Sequence, residues 1–293
     1  DRAAAIDSTF SPAYFQKGLV LRTIKRYEEA LLAFSAALSL NPGSYEGWFN
    51  KGLVLTSLKR YDEALPALES ALSLENTHAD ASLLEASVLF ELARFTDALA
   101  AFERAIALEP ANITAWYRKG KTYSELGNPT DAITCFERVI ADDSLCASAW
   151  LRKGSMLLSL SQYEPALDAL TRALELKPAS AYCWYDHAIA LLELGRYEEA
   201  VTSYDRVLAI NPKYANAYYD KGVALTKLGK ERDAVDAFEQ ATTLDPKFVI
   251  AFYDKGLALG RLGKNTEAIA AFDRAAAIDS TFSPAYFQKG LVL

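Results

Sequence analysis

The chain has 293 residues, 51% of them hydrophobic, which is ample for a buried core and too apolar for a disordered polymer. Its formal net charge of −7 argues against a nucleic-acid binder, which needs many Lys and Arg to neutralise phosphates. No apolar run nears the roughly 20 residues that span a bilayer, and Cys135, Cys146 and Cys183 form neither a CxxC pair nor a disulfide framework, so a soluble chain in a reducing, cytoplasmic compartment is expected.

Residues 1–10 read as the end of a helix. From Ser11 the pattern recurs every 34 residues through eight blocks: 11–44, 45–78, 79–112, 113–146, 147–180, 181–214, 215–248 and 249–282, with 283–293 opening a further one. Numbering each block from 1, the first half carries large apolar residues at places 4 and 11 around a small residue at place 8. That small residue is Gly18, Gly52, Ala86, Gly120, Gly154, Ala188, Gly222 or Gly256, and the four tryptophans, Trp48, Trp116, Trp150 and Trp184, stand at place 4. Such spacing lays one apolar face along a helix. The second half repeats the device with Ala at place 20 (Ala30 to Ala268), an aromatic or Leu at place 24 and mostly Ala at place 27, predicting a second helix. Between the two, Gly127, Gly195, Gly229 and Gly263 supply a residue tolerant of positive φ, suited to ending the first helix. Pro42, Pro110, Pro178, Pro212 and Pro246 end the second. Small residues let backbones approach while Trp and Phe fill the flanks. No strand signal appears, so the class is all-α.

These residues resemble the tetratricopeptide repeat family, whose pattern is a large residue at 4, Gly or Ala at 8, a large residue at 11, Ala at 20, an aromatic at 24, Ala at 27 and Pro at 32. The match runs through all eight blocks in one frame. The resemblance implies a right-handed α-α superhelix, a solenoid of helical hairpins with first helices lining a concave groove. It also implies a scaffold binding a peptide or partner protein there rather than an enzyme. Two features depart from the family: Lys at place 7, whose stem can still cover apolar surface, and Pro66, about one turn into a second helix, which is expected to disturb it locally.

Candidate binding residues lie at places 2, 5, 6, 9 and 13 of the first helices. Place 5 forms an apolar and aromatic rail that includes Tyr117, Tyr185, Tyr219 and Tyr253, with packing as its simpler reading. Place 6 varies more: Asn50, Arg118, Arg152, Asp186, Asp220 and Asp254. With Lys121 the middle is basic and the flanks, from Glu46, Asp80 and Glu91 to Glu193 and Asp254, are acidic, complementing a ligand with an acidic centre and basic ends. The alternative is pairing of these charges between neighbouring blocks, such as Arg152 with Asp186. The clamp that some relatives use for chaperone carboxy-termini requires Lys at place 5 and Asn at place 9, and both are missing. His78 and His187 lack partners at metal-ligand spacing, no cysteine has a histidine at hand, and no phosphate loop is present, so no catalytic residue, metal or cofactor is expected.

Residues 1–21 are identical to residues 273–293, a displacement of eight blocks, although blocks 215–248 and 249–282 agree at only 16 of 34 places. Ordinary divergence between repeats does not give such identity. It points to a copied eight-repeat block in a longer parent, or to head-to-tail continuity and self-association.

Overall fold

The computed structural model describes residues 11–292; the helix end read at residues 1–10 lies outside them. All regular structure among the described residues is helical. In chain order the helices are α1 Ser11–Thr23, α2 Tyr27–Leu40, α3 Tyr45–Ser57, α4 Tyr61–Leu74, α5 Ala79–Glu91, α6 Phe95–Leu108, α7 Ile113–Glu125 and α8 Pro129–Asp142. Then follow α9 Ala147–Ser159, α10 Tyr163–Leu176, α11 Ala181–Glu193, α12 Tyr197–Ile210, α13 Ala215–Lys227, α14 Glu231–Leu244, α15 Val249–Arg261, α16 Asn265–Ile278 and α17 Ser283–Val292. They divide into two compact units, one up to Ser144 and one from Leu145. Within each unit, consecutive helices pack as hairpins, and each hairpin packs on the next.

The core of every hairpin is the residue at place 24 pressed against the small residue at place 8. Phe34, Phe102, Phe136, Tyr204, Phe238 and Phe272 are all at most 1% exposed. A Cβ built on Gly18 would stand 2.6 Å from Phe34 Cε1, and one on Gly256 only 2.5 Å from Phe272 Cε1. The missing side chain is thus what admits the ring. Ala30, Ala64, Ala98, Ala132, Ala166, Ala200, Ala234 and Ala268 are each fully buried, which explains why nothing larger occupies that place.

First helices end in a left-handed residue at place 15 followed by a backbone bond reaching back five residues, such as Arg26 N–H to Leu21 C=O at 2.9 Å and Asn128 N–H to Tyr123 C=O at 2.9 Å. Gly127, Gly195, Gly229 and Gly263 fill the place in four hairpins, with φ from 69° to 74°. In the other four, Lys25, Lys59, Ala93 and Ser161 are forced into the same region at φ between 56° and 60°. Glycine content alone therefore revealed half of these turns. Helix α4 runs unbroken through Pro66, which stands on its exposed side.

The Trp and Pro ladders are chemically linked. The indole N–H of Trp48 donates to Pro42 C=O at 2.9 Å, Trp116 to Pro110 at 3.0 Å and Trp184 to Pro178 at 2.8 Å. Each bond ties the start of one hairpin to the end of the one before, while Ser44, Asn112 and Ser180 cap the same helices through side-chain oxygens. The unusual Lys at place 7 bridges in the same direction: Lys119 to Glu103, Lys221 to Asp205, Lys255 to Glu239 and Lys289 to Asp273, at 2.5–3.3 Å. Lys51, Lys119 and Lys153 also lie 5.1–5.8 Å over the rings of Trp48, Trp116 and Trp150.

Candidate partner-binding face

First helices of one unit lie side by side, α1, α3, α5 and α7 in the first and α9, α11, α13, α15 and α17 in the second. The aromatic rail belongs largely to packing. Phe15, Tyr117, Tyr185, Tyr219 and Tyr253 each set their ring 5.7–6.0 Å from the place-24 ring of their own hairpin. Tyr185 also stacks on Tyr214, Tyr219 packs tilted against Phe248 and Tyr253 meets Phe282 edge-on, each partner lying in the following connection.

Their hydroxyls build a ladder that spacing alone did not disclose. Tyr185 donates to Asp220 at 2.6 Å and Tyr219 to Asp254 at 2.9 Å, joining place 5 of one hairpin to place 6 of the next. Burial pushes the Asp220 and Asp254 carboxyls above the usual range, and the phenol bonds oppose this only in part. The phenols of Tyr185 and Tyr219 are driven up by burial and by the same carboxylates. Two members of the acidic flank are therefore half-buried structural acceptors.

In the first unit, Asn50 is 7% exposed, and its amide accepts from Arg22 at 2.6 Å and donates to Glu46 C=O at 2.7 Å. Arg118 is exposed, and Lys121 extends over the Phe90 ring, 5.1 Å from its centroid. Glu46, Asp80 and Glu91 are exposed.

In the second unit, the side-chain partner of Asp186 is Ser155 rather than the Arg152 of the pairing alternative. Asp186 accepts a short hydrogen bond from Ser155 Oγ, and burial raises its carboxyl despite that bond and the nearby Arg152 charge. These residues edge an open pocket of about 310 Å³ between α9 and α11, lined by Leu151, Arg152, Ser155, Tyr182 and Asp186. Arg152 is exposed and Tyr182 is 73% exposed. Ser155 at place 9 and Tyr182 at place 2 were not singled out by sequence. Their only signal was membership of the places expected to face a ligand.

His187 packs against Trp184 and lies 3.3 Å from Thr171 Oγ1 and 3.0 Å from Ser203 Oγ, and burial pushes it down to about 4. Burial likewise pushes the thiols of Cys135 and Cys183 up to about 11 and about 12, far from the thiolate that a nucleophile requires. Among the described residues no group of His, Cys, Asp or Glu could hold a metal, and no helix is long and apolar enough to cross a membrane.

A family model described as tetratricopeptide repeat matches residues 15–82, 117–181 and 227–281, and a second, described as TPR repeat, matches residues 86–127 and 190–229. No curated protein matches significantly. Among solved structures, the C-terminal part of a TPR repeat-containing protein from Cytophaga hutchinsonii is similar at TM-score 0.71 and 16% identity, over 82% of this chain and 98% of that one. A tetratricopeptide repeat protein from Parabacteroides merdae aligns at TM-score 0.60 and 18% identity, over 85% and 98%. YrrB, a TPR protein described as having an unusual peptide-binding site, aligns at TM-score 0.59 and 24% identity, over 64% and 97%.

Proposed function

The chain belongs to the tetratricopeptide repeat family, whose members are protein-interaction scaffolds, and from that premise we propose that it holds an extended partner segment along its first-helix face, anchored at the pocket between α9 and α11. The observation that carries this reading is Tyr182. Whereas Tyr185, Tyr219 and Tyr253 are committed to neighbours, Tyr182 leaves 73% of its surface in water beside the exposed Arg152. Tyr and Arg are the residue types that anchor interfaces, because each offers a large rigid surface with a polar end.

The anchor suits an apolar side chain, resting on Tyr182 and Leu151, next to a carboxylate that pairs with Arg152. Glu193, with the remaining lone pairs of Asp220 and Asp254, favours basic residues on the partner's flank. Half-burial gives the aspartates little rotational freedom to lose, which lowers the entropic cost of binding.

Selection from a displayed random-peptide library tests this. The parent chain should enrich peptides that place an apolar residue beside Asp or Glu, and Arg152→Glu should lose that enrichment. Equal enrichment by both proteins would sink the assignment of this pocket.

A further inference from the structure

The second unit repeats one geometry along its first helices. Tyr182 at place 2 and Asp186 at place 6 of α11 both line the pocket against α9, so these two places look out on the same side of the helix. In the next two hairpins the same places hold Asn216 with Asp220 on α13 and Ile250 with Asp254 on α15. The tyrosine bonds keep the steps in register, each reaching from place 5 of one hairpin to place 6 of the next, Tyr185 to Asp220 at 2.6 Å and Tyr219 to Asp254 at 2.9 Å.

Place 2 thus presents an exposed apolar group at each end with an exposed amide between them. Tyr182 is 73% exposed, Asn216 lies in water, and Ile250 is 45% exposed although α16 and α17 both pack on its helix. The charges are ordered along the same line, with the Arg152 guanidinium beside Tyr182 at one end and Asp220 and Asp254 toward the other. Both aspartates accept their tyrosine through Oδ2, so Oδ1 retains acceptor capacity.

Packed helices lie about 8–10 Å apart, which sets Tyr182 and Ile250, two steps from each other, at about 16–20 Å. An extended chain advances about 3.3 Å per residue and covers that span in roughly five or six residues. Its side chains alternate between two sides, so only the even separation turns both apolar groups toward the same face. A helical partner, rising about 1.5 Å per residue, would need roughly 11–13 residues instead.

We propose that the segment anchored between α9 and α11 continues across α13 to α15, and that it is a single extended strand with two apolar side chains six residues apart, an acid beside the first and basic residues between them. The proposal rests on the pocket being the anchor. The first apolar side chain lies on Tyr182 and Leu151 with its neighbouring acid on Arg152, and the second covers Ile250. Basic side chains two and four residues along point to the same face and meet Asp220 and Asp254. Asn216, carrying both a donor and an acceptor, bonds the strand's backbone, which has no ladder partner of its own.

Fluorescein-tagged peptides titrated with the full chain to millimolar concentration and read by anisotropy test this register. The probe Asp-Leu-Ser-Lys-Ser-Lys-Ser-Leu sets its leucines six apart, and two peptides of the same composition set them three or five apart; all are made in both chain directions. In the better-binding direction the six-residue spacing should bind roughly tenfold more tightly than the others, the gain from covering a second apolar side chain. Ile250→Glu should erase that preference while the other two peptides bind as before and helical circular dichroism is unchanged, and Ile250→Leu should keep it. Arg152→Ala should weaken all three peptides. Equal or undetectable binding at the three spacings, or a preference that survives Ile250→Glu, would overturn the register while sensitivity to Arg152→Ala left the pocket standing. Indifference of every peptide to Arg152→Ala would remove the anchor, and the proposal with it.

Discussion

Exchanging Ala93 and Gly127 for one another's residue type isolates the strain in the hairpin turns. Both stand at place 15 of the first unit, Ala93 at φ 56° and Gly127 at φ 69°, and the space about Gly127 is empty to 4 Å, so neither change alters packing. A side chain in the left-handed region costs about 1–2 kcal/mol. Glycine returns about 0.5–1 kcal/mol of this through its freer unfolded chain. Ala93→Gly should therefore stabilise by about 0.5–1 kcal/mol, and Gly127→Ala should destabilise by a similar amount. Urea denaturation at constant m-value measures both, and melting should shift by about 1–4 °C in opposite directions. The four non-glycine turns at Lys25, Lys59, Ala93 and Ser161 are separate sites, so glycine at all of them should add to about 2–4 kcal/mol. If both single variants fall within about 0.2 kcal/mol of the parent, the turns are not strained and the reasoning fails.

Three further outcomes follow from burial and charge. Ala132→Leu puts a branched side chain into a fully buried contact and should cost about 1–3 kcal/mol by overpacking, read as a lower urea midpoint; unchanged unfolding would contradict it. Asp220 has a folded pKa raised above its ordinary 3.8, so its penalty is complete at neutral pH and is relieved as pH falls through the raised value. Asp220→Asn, which still accepts from Tyr185, should melt higher than the parent at pH 7, by a margin that shrinks toward pH 4, and a margin that grows on acidification would refute this cause. His187 is depressed to about 4 from 6.5, so the stability it contributes is present above pH 6.5 and drains away as pH falls toward 4. Its ring resonances should accordingly titrate near pH 4, well below those of a histidine in water, and an ordinary midpoint would show that the ring is not buried as described.

The fold was legible because its determinants are steric and recur in register. The Gly or Ala at place 8, the Ala at place 20 and the ring at place 24 are parts of one contact, so their period displays the contact itself. Less was legible wherever residue type does not disclose a partner. Lys119 and Lys221 look like surface charges until their acids, Glu103 and Asp205, are brought alongside from the preceding helix. The Trp and Pro ladders were read separately as bulk and as stop signals, although one donates to the other. The binding face shows the same limit. Residue type at place 6 left open whether the charges face a ligand or pair between neighbouring blocks, and it did not disclose that Asp220 and Asp254 accept from tyrosines of the preceding hairpin or that Asp186 accepts from Ser155. What distinguishes Tyr182 from Tyr185, Tyr219 and Tyr253 is its lack of cover, which depends on the packed neighbours and not on the repeat pattern.

The claim that this chain holds partners on its first-helix face is tested most directly by placing a photo-crosslinking phenylalanine analogue at Tyr182 and, separately, at Leu32, which is comparably exposed at 71% but lies on the second helix of its hairpin. Irradiated with an enriched acidic-apolar peptide, the Tyr182 protein should form a covalent adduct that Arg152→Glu suppresses, and the Leu32 protein should form none. Equal labelling at the two positions, or labelling at Leu32 alone, would contradict the account.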